Sequence, residues 1–215
     1  MKIKHLFSAL FLSVITSAAN ASIINGLGDA TLDPALSGAT VIDFESQATG
    51  SFTSLTIGDV TFSTPDCSAC AYLTTAFSGD FNATGINMQN GTSGAQKLKI
   101  DFATGADAFA FNFGASNEDW LLEAFDVASG LLESYLLPQT WWNNNGEYFG
   151  IAAAGISFVT LTQLTHTTDA NADHILLDNF AYVAADIPSP APIALLLLGL
   201  AGMAMVSRRK TALNY

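Results

Sequence analysis

Strict alternation of apolar and polar residues, in run after run, is what most constrains this chain. "ADAFAFNFG" places Phe109, Phe111 and Phe113 at every second position, and "QKLKIDFA" sets Leu98, Ile100 and Phe102 against Lys97, Lys99 and Asp101. Side chains in a strand point to opposite faces in turn, so such runs bury one face and solvate the other. "TVIDFES" does the same with Ile42 and Phe44, and "DVTFST" with Val60 and Phe62. "DWLLEAFDVASGLLESYLL" reads as two strands joined at Ala128, Ser129 and Gly130, and "GISFVTLTQ" and "HILLDNFAYV" close the series. Clusters such as "FSGDFNATG", "MQNGTSGAQ" and "WWNNNGEYFG" separate them. Helical spacing is missing outside the two ends, and no internal repeat is visible. The pattern predicts an all-β fold, an antiparallel β-sandwich or jelly roll over residues 38–185. A lead-in segment, 22–37, precedes it with room for one edge strand.

The two ends follow other rules. "MKIKHLFSALFLSVITSAANA" has a basic start at Lys2 and Lys4, an apolar stretch and a small-x-small site at Ala19, Asn20 and Ala21. This is a secretory signal peptide, residues 1–21, with cleavage expected between Ala21 and Ser22. Its apolar run is short for a membrane anchor. Between Ser22 and Asp186 lie all 19 acidic residues against two lysines, Lys97 and Lys99, a formal charge of −17. A surface this acidic repels nucleic acid and anionic lipid, which excludes nucleic acid as a partner, and it favours cations.

Both cysteines fall in "PDCSACAY". Export places Cys67 and Cys70 in an oxidising compartment, where a small disulfide closing a loop is the favoured reading. A thiol-redox motif would need a following helix, and zinc would need more ligands than this pair.

The C-terminal segment, 186–215, opens with Ile187, Pro188, Ser189 and Pro190, continues with "APIALLLLGLAGMAMV" and ends in a cluster of Arg208, Arg209 and Lys210. Ile187 through Ser207 are 21 residues without a charge, enough for a single transmembrane helix. The basic cluster fixes the far end in the cytoplasm and the β domain outside. A proline motif, an apolar span and an arginine cluster resemble the PEP-CTERM sorting signal of exported proteins from biofilm-forming Gram-negative bacteria. Ser189 stands where that signal usually carries Glu. The resemblance implies an exosortase as partner, a membrane transpeptidase that cleaves near the prolines. It also implies an inner-membrane intermediate, then release to the cell surface or extracellular matrix. The order "VIDFE", "LTIGDVTFS", "ADAFAFNFG", "ILLDNFAYV" is similar to β domains carried by such proteins, which bring no established activity.

Chemistry is thinly marked. His166 and His174 both lie in "LTHTTDANADHILLD", and no GxSxG, HExxH or phosphate-binding loop accompanies them. Two stretches stand out. "DANAD" sets Asp169, Asn171 and Asp173 at alternate positions, which suits a hard cation such as calcium. Residue His174 replaces the glycine of an EF-hand loop and Phe180 its bidentate glutamate. By analogy with calcium-holding jelly rolls, Asp43, Glu45 and Asp178 form an alternative ligand set. "TWWNNNGEYFG" supplies Trp141, Trp142, Asn144 and Tyr148 as a stacking platform for sugar rings, with a type I′ turn expected at Asn145 and Gly146. Adjacent tryptophans on a strand would send one indole to the core and leave the other exposed.

These readings predict an exported, non-catalytic β-sandwich with a binding or structural role, stabilised by structural Ca2+ and directed at extracellular polysaccharide or other envelope components. The competing readings are a jelly-roll carbohydrate-active enzyme using two carboxylates, and a single-pass surface protein whose tail stays uncut.

Overall fold

A computed structural model describes residues 21–90, 96–164 and 173–185. Within them the chain is antiparallel β throughout, as the alternation predicts, with two 3-10 turns at Ala30–Leu32 and Pro34–Leu36. The strands are β1 (Ser22–Leu27), β2 (Thr40–Ile42), β3 (Gly50–Phe52), β4 (Ser54–Ile57), β5 (Val60–Ser63) and β6 (Ala71–Thr74). They continue as β7 (Asn87–Gln89), β8 (Lys97–Gly114), β9 (Trp120–Phe125), β10 (Leu131–Leu137), β11 (Glu147–Gln163) and β12 (Leu176–Ala184). All belong to one 12-stranded sheet in the order β10-β9-β11-β8-β12-β7-β6-β3, with β1 on β11, β2 on β12, and the β4–β5 hairpin on β8. Among the described residues, no helix is long and apolar enough to cross a membrane. The signal peptide and the sorting segment, with Pro188, Ser189, Pro190, Arg208, Arg209 and Lys210, lie outside those residues.

Two long strands organise the sheet. The runs "QKLKIDFA" and "ADAFAFNFG", separate by sequence, form the single strand β8. Gly105, at φ 81, and Gly155 of β11, at φ 73, lie where the register between the two strands shifts. A bulge of this kind turns a strand without ending it, and the Asp107 carboxylate accepts the Gly155 N–H at 3.0 Å across it. Before the bend, β8 pairs with β5 and the end of β11; beyond it, with β12 and the start of β11. The sheet therefore folds over its own core. Phe62 of β5 lies 5.3 Å from Phe180 of β12, ring centre to ring centre, and Phe102 6.1 Å from it. The stripe Phe109, Phe111 and Phe113 is fully buried in that interior, each ring contributing about 2 kcal/mol of apolar burial.

One strand is shorter than its alternation suggests. β2 stops at Ile42 because Phe44 turns to φ 62. The ring still reaches the core and meets Phe62 edge-on at 5.4 Å.

The outer face of β8 is built from small residues. Ala108 and Ala110, with Ala181 of β12, pack beneath Ile24, Ala30, Leu36 and Tyr148. The segment from Ser22 onward can thus lie directly on the sheet, with β1 in register against β11 from Ser22 opposite Ala152 to Leu27 opposite Glu147. Cys67 and Cys70 form a disulfide in the loop before β6.

Candidate functional site

Where β8 and β12 meet the start of β11, two loops come together. The first follows β10. Its turn is closed by the Asn143 N–H donating to the Thr140 carbonyl at 3.0 Å, with Trp141 and Trp142 between them. Trp142 has φ 71, a conformation that turns of this shape usually assign to glycine. Because the pair occupies a turn and not a strand, neither indole enters the core: Trp141 is 42% exposed and Trp142 76%. Gly146 is left-handed at φ 71, whereas Asn145 is not, so the expected type I′ turn does not form.

The second loop joins β6 to β7 and brings up an aromatic ring of its own. Phe81 lies 5.8 Å from Trp141 and 6.2 Å from Trp142, and the two indoles meet edge to face at 5.0 Å. Phe81 and Asn82 are both left-handed, at φ 52 and 61. The loop lies so close to the end of β8 that a Cβ on Gly114 would run into the Phe81 carbonyl.

Carboxamides hold the loops together. Asn82 is buried; its Nδ2 donates to the Phe113 carbonyl and to Glu147 Oε2, both at 2.9 Å, and its Oδ1 accepts the Gly146 N–H. Asn143 Nδ2 donates to the other Glu147 oxygen at 2.9 Å. Asn144 accepts the Asn82 N–H at 3.1 Å and donates to the Gly79 carbonyl at 2.6 Å. Asn112 Nδ2 donates to the Gly146 and Glu147 carbonyls, and its Oδ1 accepts from Asn179 at 3.1 Å. Asn179 sits at φ 47 where the β12 register slips.

Two clefts open beside this scaffold. One, of about 270 Å³, is lined by Asn82, Thr84, Asn144, Gly146 and others; the second, of about 410 Å³, by Asp29, Thr31, Val41 and Ala181. Gly28, Asn112 and Asn179 line both, so they form one groove, and Asn82 and Asn144 at its smaller end belong to the two loops that carry Phe81 and the indoles. Tyr148 makes no ring contact with the corner. It is the strand partner of Asn112 and packs with Ile24 and Ala30 on the outer face of the sheet, and burial raises its hydroxyl pKa, with Asp33 and Asp29 adding to the shift.

The residues named for calcium each have partners within the chain where they are described. Asp169 and Asn171 lie outside the described residues. Asp173 is buried and accepts the Asn117 N–H, the Glu118 N–H and the Trp120 indole N–H, the last at 2.7 Å. Burial raises its carboxyl, and these donors oppose the shift. Asp178 accepts the Thr84 N–H and hydroxyl at 2.7 and 2.9 Å and the Asn179 N–H at 2.7 Å. Burial pushes its carboxyl up to about 6, with Glu45 adding to the rise. Glu45 accepts the Ile86 N–H, and Asp43 the Glu45 N–H. Among the described residues, no three acidic, histidine or cysteine side chains are grouped closely enough to share a metal ion.

Sequence reasoning passed over Phe81, Asn82, Asn112 and Asn179, and took Glu147 only as a member of the tryptophan stretch. Asn179 left a trace, as a polar residue inside the apolar run "ILLDNFAYV". Phe81 left none, because its ring reaches the tryptophans only once two distant loops meet.

No family model matches the chain, and no curated relative matches it. Among solved structures, a mutant of the family 29 carbohydrate-binding module CBM29-2, solved to probe ligand recognition, is similar at 11% identity and a TM-score of 0.29. The match covers 79% of this chain and 98% of that one, a likeness too weak to bear on fold or function.

Proposed function

We propose that this is an exported, non-catalytic β domain that binds extracellular polysaccharide through the Trp141–Trp142 corner. One observation carries the reading: two neighbouring indoles are exposed on a turn that holds Trp142 at φ 71. Exposed tryptophans have an apolar cost, and left-handed backbone at a bulky residue costs on the order of 1–3 kcal/mol. Folding alone would select against both. Flat aromatic faces beside carboxamides suit the stacked, hydroxyl-rich surface of a sugar chain. Glu147 has both oxygens engaged by asparagine amides and Asp178 is buried behind Thr84, arrangements that hold structure and not a reacting bond.

Delivery belongs to the same proposal. The N-terminal signal exports the chain, the C-terminal segment anchors it in the inner membrane, and an exosortase cutting near Pro188 passes it to the cell surface or matrix. Calcium enters as a structural ion for the acidic loops. The test is retention on polysaccharide from the producing cell, comparing the wild type with Trp141→Ala and Trp142→Ala. Loss of retention with an unchanged fold is expected. Equal retention by both variants removes the site, and shortened polysaccharide restores the enzyme reading.

A further inference from the structure

The groove beside the indoles has a definite chemical character. Asn82 and Asn112 use their amide N–H groups to hold the loops. Asn144 and Asn179 each donate one N–H to a protein acceptor, which leaves a second N–H on each for a ligand. A carboxamide offers a donor and an acceptor side by side, which matches neighbouring sugar hydroxyls without any charge.

Charge is distributed just as unevenly. Asp29 lines the larger of the two clefts, together with Asn112 and Asn179. Its Oδ1 accepts the Thr31 N–H and hydroxyl at 2.9 and 2.7 Å, bonds that hold its carboxyl below the usual range and keep it ionised. Its second oxygen accepts no hydrogen bond among the described residues, and the side chain is exposed. The lysines of the described residues, Lys97 and Lys99, lie at the start of β8, opposite Thr162 and Thr160. The groove lies at the other end of that strand, so no lysine or arginine side chain of the described residues reaches it. An acidic sugar would meet Asp29 with no cation to compensate, whereas an ammonium group would be welcomed there.

We infer that the groove extends the indole platform into a site for a glycan free of acidic groups, with an amino sugar seated against Asp29. This rests on the polysaccharide reading above and narrows it to a ligand class: chains containing glucosamine-type residues bind best, N-acetylated chains less well, and uronate, sulfated or phosphorylated chains not at all. The indoles supply stacking, Asn144 and Asn179 the hydroxyl contacts, and Asp29 the choice of sugar.

The test is titration calorimetry of the full chain in detergent with three hexamers, of glucosamine, N-acetylglucosamine and galacturonate, at pH 6 and low salt. The glucosamine hexamer is expected to bind about three-fold more tightly than the N-acetylated one, in the range of an exposed ion pair, and to lose that margin in high salt. Galacturonate should give no heat of binding. Asp29→Asn preserves the turn, because asparagine caps as well as aspartate, and should equalise the first two hexamers. Asn179→Gly keeps the left-handed backbone while removing the carboxamide, and should weaken both. Binding of galacturonate as tight as that of N-acetylglucosamine overturns the inference, as does an amino preference that survives Asp29→Asn. If no hexamer binds, or if Trp141→Ala and Trp142→Ala bind like the wild type, the polysaccharide reading falls with it.

Discussion

The amide of Asn82 and the carboxylate of Glu147 meet at 2.9 Å, and this bond ties the loop carrying Phe81 to the strand that follows the two tryptophans. The other Glu147 oxygen takes the Asn143 amide. A single side chain thus ties together both loops of the aromatic corner.

Glu147→Ala should therefore weaken glycan retention by allowing the loops to part. It leaves two asparagine amides without their acceptor, so a stability loss of about 1–3 kcal/mol is expected. Glu147→Gln keeps one acceptor oxygen and should lose less. Denaturant melts, with tryptophan emission as a second readout, decide this. Wild-type stability in Glu147→Ala would show that the bonds do not hold the corner.

Trp142→Gly separates binding from folding. Glycine adopts φ 71 freely, which relieves strain, but it also loosens the unfolded chain by about 0.5–1 kcal/mol. Stability should stay within about 1 kcal/mol of the wild type while retention on polysaccharide collapses. A large drop in melting temperature would mean that the indole is there for packing.

Asp178 gives the protein a pH dependence of definite sign. Burial raises its folded-state carboxyl to about 6, while in the unfolded chain it titrates near the usual ~3.9. Between these values the folded form holds the proton more tightly. This group therefore opposes folding above pH 6, and the opposition is relieved as pH falls from 6 toward 4. Asp173 shifts in the same direction. Unfolding free energy at low salt should rise by roughly 1–2 kcal/mol between pH 7 and pH 4.5. Asp178→Asn should flatten that rise, whatever it does to stability overall. An unchanged slope in the variant assigns the effect to other acids.

Trp120→Phe tests the buried acid at Asp173. The indole N–H is one of its donors, and phenylalanine fills most of the same space without one. A loss of about 1–3 kcal/mol is expected, larger as pH rises and more of the carboxylate is ionised. A loss independent of pH would show that only packing volume had changed.

Calcium is checked by melting the purified protein with EDTA and again with millimolar calcium. An ion bound only to the folded form raises the melting temperature in proportion to its occupancy. Identical curves would remove the metal from the proposal.

By itself, the sequence determined the all-β class, the inward faces of Phe109, Phe111 and Phe113, the hairpin between Trp120 and Leu137, and the acidic character of the chain. These are local properties: alternation sets which face of a strand is buried, and charge follows from counting. It also pointed to Trp141, Trp142 and Asn144. Only the tertiary structure decided that both indoles are exposed, since that depends on a turn whose left-handed residue is a tryptophan and not the usual glycine. Only the structure joined two runs into β8, because a bulge at Gly105 and a true turn look alike in sequence. The groove is the clearest case. Phe81, Asn82, Asn112, Glu147 and Asn179 come from four separate segments, and their meeting is set by the register of long-range strand pairs, which no local pattern encodes.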